Sequence, residues 1–394
     1  MFSVTNGTKI PYMTKRDNSL DVLRGILLVM ITINHIGGPL CTVTFQPMGF
    51  VSAAEGFVFL SGYILCLVYG KRLIRGQSVT LATIFKRSLK IYWYHLTALF
   101  ILLIPYFLNT PFLKQWQFSG LATFVERPHE AVLAYSLLLF QPEHLDILPM
   151  YILFIPIGFL ALKTFMNQKA LLILSFSFLL WFASQFQAIN SQFSNPFSLS
   201  SGFFNPFSWQ ILFIVGCYFG YSRSIGKKII PKSKKFLFPS LIIFLTLAFV
   251  RYHKETDREI FQLILNHSNK PNLQFFRLLN VFITAYIIDY AIKFKYFPHI
   301  KPLAFLGRHS LQVFVFQVLL VYFYEPFRPE IFNFGYAGRI GVQILASLTL
   351  FIPAFMHYYS QNSTNKKLAA TDSNNVRGEL FQTQNNRMME VNRK

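Results

Sequence analysis

Three ionisable residues supply most of the chemistry this sequence can perform. Arg24 and His35 lie about eleven positions apart in SLDVLRGILLVMITINH, which at about 100° per residue brings both to one face of a helix. The rise between them is on the order of 16 Å, so one face links two depths. Asp21 shares much of that face. Glu55 opens the following apolar run, AAEGFVFLSGY, which must return in the opposite direction, so its carboxylate is expected at a depth close to His35. A carboxylate that orients an imidazole and stabilises its protonated form makes histidine an effective general base towards a sugar hydroxyl. Gly62 and Cys66 follow on nearly the same face as Glu55 and permit close helix approach or leave room for a ligand. The same residues also have purely structural uses: Arg24 can snorkel to headgroups, His35 can hydrogen-bond within a bundle, and Glu55 can pair with a buried cation.

A second polar group, Arg308 and His309, lies in LGRHSLQVFVFQ. With Arg24, Arg308 suits a phosphate-bearing ligand, and it suits equally an anchor on lipid phosphate. Asp289 reads as structural. Glu143, His144 and Asp146 precede one apolar run, and Trp209 and Gln210 open another. Trp209 fits a membrane-interface belt or a stacking surface for a sugar. The charges at 143–146 can bind glycan hydroxyls or simply face solvent. The sequence contains no phosphate-cradling glycine loop, nucleophile elbow or zinc-type His/Glu cluster, and Ser61 in FLSGY lacks the strand-turn-helix context of a nucleophile. Cys41, Cys66 and Cys217 are scattered, which shows neither a disulfide framework nor a metal spacing.

The elements that must position these residues are membrane helices. The 394 residues are 53% hydrophobic and 13% charged, with 46 Phe and a mean hydropathy of +0.40, more apolar than soluble domains. Apolar runs near the length needed to cross a bilayer recur along the chain, which predicts an all-α, polytopic helical bundle. About ten spans are expected, near 20–38, 50–70, 89–108, 147–163, 169–187, 206–222, 236–250, 276–293, 303–324 and 340–358. The stretch 131–141 is short for a span and reads as an interfacial or re-entrant helix. The first run lacks a small-residue cleavage site and reads as a retained span.

The formal charge of +21 would suggest nucleic acid in a soluble protein; here most Lys and Arg fall between apolar runs, so topology explains them and no nucleic-acid partner is expected. Counting Lys71, Arg72, Arg75, Lys86, Arg87 and Lys90 in one loop, and Arg223, Lys227, Lys228, Lys232, Lys234 and Lys235 in another, places both termini in the cytoplasm. The expected organisation is a cytoplasmic segment 1–19, a membrane domain 20–359 and a disordered cytoplasmic tail 360–394. Asn-Pro-Phe occurs at Asn195 and Asn205, which is not a repeat architecture.

In their order and spacing, SLDVLRGILLVMITINH, AAEGFVFLSGY, HLDILPMY, NPFSWQILFIVG and LGRHSLQVFVF resemble blocks of the OpgC family of bacterial membrane proteins, related to the acyltransferase-3 group of carbohydrate acyltransferases. The likeness extends over most of 17–358. It implies about ten spans with both termini inside, and a Gram-negative inner membrane. In that group an Arg and a His separated by ten residues in the first helix are essential, which falls on Arg24 and His35. An Arg-rich element after the second helix is matched in part by FKRSLK, with Arg87 present and Lys90 where another Arg is expected; lysine keeps the charge without the bidentate fork. OpgC-like proteins are associated with succinyl transfer to periplasmic glucans, and wider relatives use acetyl donors.

These readings combine into one expectation. An acyl-CoA donor, succinyl-CoA or acetyl-CoA, docks near Arg24, Arg87 and Arg308 with its thioester towards His35, and His35 with Glu55 activates a glycan hydroxyl held near Asp146, Trp209 and Gln210. No metal is required. Direct transfer and an acyl-histidine route are both open. The rivals are a glycan, lipid or anion transporter and a non-catalytic membrane scaffold. Broken helices would favour the transporter, and Pro105, Pro156 and Pro353 are where breaks would fall. The bilayer and a glycan acceptor are the partners read from the sequence, which leaves oligomeric state open.

Overall fold

The computed structural model describes residues 17–107, 120–186, 199, 201–229, 231–293 and 300–363. Ten longer helices organise them: α1 (Asn18–Ile36), α2 (Ala53–Ile74), α3 (Leu81–Phe107), α4 (Ile147–Met166), α5 (Ala170–Ala183), α6 (Pro206–Ser224), α7 (Lys234–Tyr252), α8 (Phe275–Lys293), α9 (Ser310–Tyr324) and α10 (Gly335–Thr349). Among the described residues there is no strand, only an isolated bridge between Met48 and Val51. Eight of the spans are long and apolar enough to cross a membrane. The other two expected segments are also helical: α5 is apolar but has 14 residues, and α6 has 19 with a more polar sequence. The all-α polytopic bundle follows directly from the apolar runs.

Exposure separates the helices that line the bundle from those that face outwards. Of the most apolar window of α4, 61% is buried, against 11% for α7. Phe236, Phe238, Ile242, Leu245 and Phe249 on α7, and Leu171, Leu172, Phe176 and Leu179 on α5, are exposed large apolar side chains, the surface a helix presents to lipid. The centre is built on α2 and α6. A Cβ on Gly62 would strike the carbonyl of Phe213, one on Gly216 that of Phe59 and one on Gly220 that of Tyr63. Only glycine allows this backbone contact, and Gly216 and Gly220 form a G-x-x-x-G pair. A similar seam joins α1 to the short helix Lys301–Arg308, where Gly25 abuts Leu303 and Gly307 abuts Asp21.

Several boundaries differ from the sequence reading, each for a local reason. The expected span 303–324 divides into Lys301–Arg308 and α9, with His309 between them outside helical geometry. α3 begins at Leu81, eight residues earlier than the apolar pattern, so FKRSLK is helical and Arg87 sits on a helix instead of in a loop. Long basic side chains let a helix outrun its apolar stretch. The stretch 131–141 holds only the end of a nine-residue helix, Pro128–Ser136, followed by a turn with Leu138 at φ +62. α10 is interrupted at Leu350 and resumes to residue 363, because Pro353 cannot donate to the carbonyl of Thr349. Pro105 and Pro156 lie inside α3 and α4. Residues 1–16, Asn195 and most of the expected tail lie outside the described residues.

Candidate functional site

The polar residues collect at opposite ends of α1. Asp17 caps the helix start by accepting from the Ser19 amide at 3.0 Å, and Gly37 at φ +75 ends it just beyond His35. His35 therefore sits in the last turn, where its carbonyl lacks an intrahelical partner. Arg328 supplies one, donating through Nη2 at 2.8 Å while also pairing with Glu325 at 2.7 Å.

The His35 imidazole is fixed at an atom and on a face. Its Nδ1 accepts from Nε2 of Gln317, a fully buried residue of α9, at 2.9 Å. The ring stacks on His144, with centroids 4.1 Å apart and planes 25° from parallel. His144 is presented by a left-handed backbone, φ +65, a conformation that costs a non-glycine residue on the order of 1–3 kcal/mol. Its other contact is the edge of Tyr322, whose hydroxyl donates to the Glu143 carbonyl at 2.5 Å. Burial, then the charges of Arg328 and Lys270, hold the His144 pKa down at about 4.

Two more elements complete this end. Asp146, ahead of α4, is buried, and its Oδ2 accepts from the Phe203 amide at 2.9 Å. Burial pushes its pKa up to about 6 despite that hydrogen bond. The Lys270 ammonium lies over the rings of Phe203 and Phe204, at 5.9 and 5.7 Å, and burial lowers its pKa. Its loop is pinned by donors from α5 and α6. Trp209 Nε1 reaches the carbonyls of Lys270 and Pro271 at 3.2 and 3.0 Å, the Asn205 amide reaches Pro271 at 3.1 Å, and Trp181 Nε1 reaches Leu273 at 2.9 Å. Asn205 also caps α6, with Pro206 at its first turn. The motif NPFSWQ thus builds a cap and a clamp.

This geometry corrects several expectations. Glu55 does not pair with His35. Its Oε1 accepts from Arg277 Nη1 at 2.9 Å and its Oε2 from Ser52, whose amide it also accepts at 2.9 Å in a capping box. Arg277 in turn donates to the Phe50 carbonyl and, at 2.9 Å, to that of Ser268. Glu55 and Arg277 are both buried, so the carboxylate is spent on a cation that holds the 46–52 loop. Trp209 is fully buried, with its ring against Phe204 at 4.4 Å, which leaves no face for a sugar and no place in a surface belt. Gln210 is consumed between α5 and α6, accepting from the Ser177 hydroxyl at 2.7 Å and donating to the Ser177 carbonyl at 2.8 Å.

At the other end of α1, Arg308 pairs with Asp21 at 3.5 Å and donates to Asn18 at 3.1 Å, with its side chain 42% exposed. It lines a cavity of about 590 Å³ with Asn18, Lys301, Phe305 and Phe355. Arg24 is half-buried, its guanidinium 6.0 Å from the Phe57 ring and its Cβ against Gly307. Arg87 is half-buried on α3 and makes no hydrogen bond or ion pair among the described residues. Arg24 and Arg308 thus share the seam between α1 and Lys301–Arg308, while Arg87 stands on a separate helix.

The architecture is that of a multi-pass helical membrane protein with a histidine-centred polar site at one end of its bundle. The chain belongs to the OpgC family: the family model described as OpgC protein matches residues 16–362. Membership implies acyltransferase activity in glucan modification. No curated protein matches the chain, and no solved structure does. Gln317, Arg328, Lys270 and Arg277 carry no sequence signal of their own; each is a polar residue beside or within an apolar run, and only folding shows which face it takes.

Proposed function

We propose that this protein transfers an acyl group, succinyl or acetyl, from cytoplasmic acyl-CoA to a hydroxyl of a periplasmic or cell-surface glycan. It does so in a bacterial inner membrane, with both termini in the cytoplasm. The observation that carries this reading is the His35 imidazole, held at Nδ1 and across one ring face in the outer turn of α1. A fixed, neutral imidazole is what a general base requires.

In the proposed reaction His35 removes the proton of the glycan hydroxyl, and the freed oxygen attacks the thioester carbonyl. The carbon–sulfur bond breaks, the thiolate departs with coenzyme A, and the histidine proton passes to that sulfur. Direct attack needs no covalent enzyme intermediate; an acyl-histidine route would replace the hydroxyl by Nε2 in the first step. Lys270 and Arg328 place positive charge beside the ring and favour an oxyanion there. Asp146, by holding the Phe203 amide, positions the wall on which Lys270 rests.

The donor's phosphates are proposed to dock at the opposite end, in the cavity that Arg308 and Lys301 line. Arg24 and Arg87 extend that basic mouth, and the acyl arm then runs along α1 over a rise on the order of 16 Å. Glu55 acts through Arg277, as the fastening of the loop beside the site.

The test uses purified full-length protein in detergent with labelled succinyl-CoA or acetyl-CoA and a glucan acceptor. Coenzyme A release and glycan mass spectrometry should both report transfer, and His35→Ala should lower the rate by about 10²–10⁴-fold. Full transfer by a normally inserted His35→Ala protein would remove His35 from the chemistry. Absence of coenzyme A release with either donor would remove the donor class.

A further inference from the structure

The outward face of α3 carries positive charge that the surrounding chain does not neutralise. Lys86, Leu89, Lys90, Trp93, Tyr94 and Thr97 recur at steps that keep them on one helical stripe, and together they line a groove of about 410 Å³. The opposite stripe, with Ile84, Ile91, Ala98 and Leu102, is buried in the bundle. Lys86 and Lys90 are exposed, and neither forms an ion pair among the described residues. The local sequence supplies no carboxylate: from Gly56 to Val125 there is no Asp or Glu, while Lys71, Arg72, Arg75, Lys86, Arg87 and Lys90 all fall in that stretch. Asp17 and Asp21, at the same end of the bundle, are paired with Arg223 and Arg308. The counter-charge for this groove therefore has to come from outside the described chain.

Along the stripe, the order of side chains is that of an amphiphile. The two ammonium groups come first. Trp93 follows one turn on, 59% exposed, at the level where an indole sits between headgroups and hydrocarbon. Beyond it the exposed residues Phe100 and Ile104 continue the same helix as apolar surface. Tyr94 lies beside the lysines. Its hydroxyl accepts from Gln312 of α9 at 3.0 Å, which leaves its proton to donate to a phosphate oxygen. A water-soluble phosphate ligand has no use for the apolar continuation, whereas a phospholipid matches both parts. A zwitterionic headgroup would set its own cation against the lysines, so net negative charge is selected.

We infer that this groove binds an anionic phospholipid, its phosphate between the Lys86 and Lys90 ammonium groups and an acyl chain lying past Trp93 towards Phe100. None of the six groove residues takes part in the acyl transfer proposed above, so the site stands or falls separately from that reaction.

Trp93 can report on its own groove, because bromine on an acyl chain quenches an indole it touches, and Trp181 and Trp209 are buried. Full-length protein in phosphatidylcholine vesicles is titrated with brominated phosphatidylglycerol and, in parallel, with brominated phosphatidylcholine. A lysine beside an anionic headgroup contributes about fivefold in association, so the anionic lipid should quench with a relative association constant about 10–30-fold higher. Lys86→Gln alone should remove about fivefold of that preference. Lys86→Gln combined with Lys90→Gln keeps the reporter and should bring the two lipids to parity, and Trp93→Phe should abolish the difference in signal. Equal quenching by the two lipids in the unsubstituted protein would overturn the inference. So would a preference that survives in the double variant, or a difference that survives in Trp93→Phe. Recovery of Trp93 fluorescence on adding coenzyme A, with the brominated anionic lipid still present, would give the groove to a nucleotide instead of a lipid.

Discussion

The two ends of α1 handle charge in opposite ways. At the Asp21 end the cations are partly exposed: Arg308 and Arg223 have side chains 42% and 43% exposed, and they pair with Asp21, itself buried, and with the cap residue Asp17. At the His35 end Glu55, Arg277 and Asp146 are buried, and each is committed to backbone or side-chain partners. Exposed charges can accept an arriving ligand because water already solvates them. Buried ones cannot leave their partners without a large penalty, so they hold geometry. One end is suited to docking and the other to fixed chemistry.

The sharpest way to break this contrast is at Glu55 and Arg277. Arg277→Ala leaves a carboxylate buried and unpaired, which should lower stability by about 3–5 kcal/mol, read as thermal unfolding in detergent. Glu55→Gln together with Arg277→Gln should cost clearly less than either change to alanine. Equal losses at Arg277 and Arg308 would erase the distinction.

Asp146 provides the next largest effect, through pH. Its folded pKa of about 6 stands above the ordinary aspartate value of 3.8, so the folded state favours the protonated carboxyl. That contribution is complete below about pH 4 and is lost as pH rises through about 6, by about 3 kcal/mol at most. Asp146→Asn keeps an acceptor for the Phe203 amide and should be more stable than the unsubstituted protein above pH 6, with the advantage gone near pH 4. His144 runs the other way: its folded value of about 4 lies below 6.5, so its contribution is present above about 6.5 and fades as pH falls through 4. A stability difference for Asp146→Asn that does not change with pH would exclude a buried carboxyl that titrates late.

Trp209→Phe keeps the ring and deletes the donor to Lys270 and Pro271, which should cost about 1–3 kcal/mol. Transfer should fall further than stability, because the loop that carries Lys270 loosens. The smallest effect is expected at Arg308→Ala, about 0–1 kcal/mol in stability, with a rise in donor KM as its main signature. A large loss of stability there would make Arg308 a structural residue.

The fold was legible because lipid-crossing helices must be long and apolar, and the chain writes that requirement repeatedly. The face shared by Arg24 and His35 was also legible, since helical periodicity alone fixes it. What periodicity cannot tell is which cation meets Glu55. Depth suggested His35, but Arg277, expected merely as the start of a later span, arrives from more than two hundred residues away. Trp209 and Gln210 were misread for a related reason: they open a helix and so looked interfacial, whereas the loop Lys270–Leu273 folds over that opening and buries it. His144 was visible as a polar residue near the site, but its stacking depends on a left-handed backbone that no local pattern announced. The break at His309 escaped because the apolar residues on either side of Arg308 and His309 together make up one span's length, and the close approach of Gly307 to Asp21 has no local signature.

The glycine contact between α2 and α6 reaches further than packing. Three backbone approaches in succession make the two helices a single stiff post, with Glu55 mounted on one half and Trp209 on the other. Since both the 46–52 loop and the Lys270 loop are fastened to that post, a methyl group added at Gly216, deep between the helices, would spread the two fastenings apart and disturb a histidine it never touches.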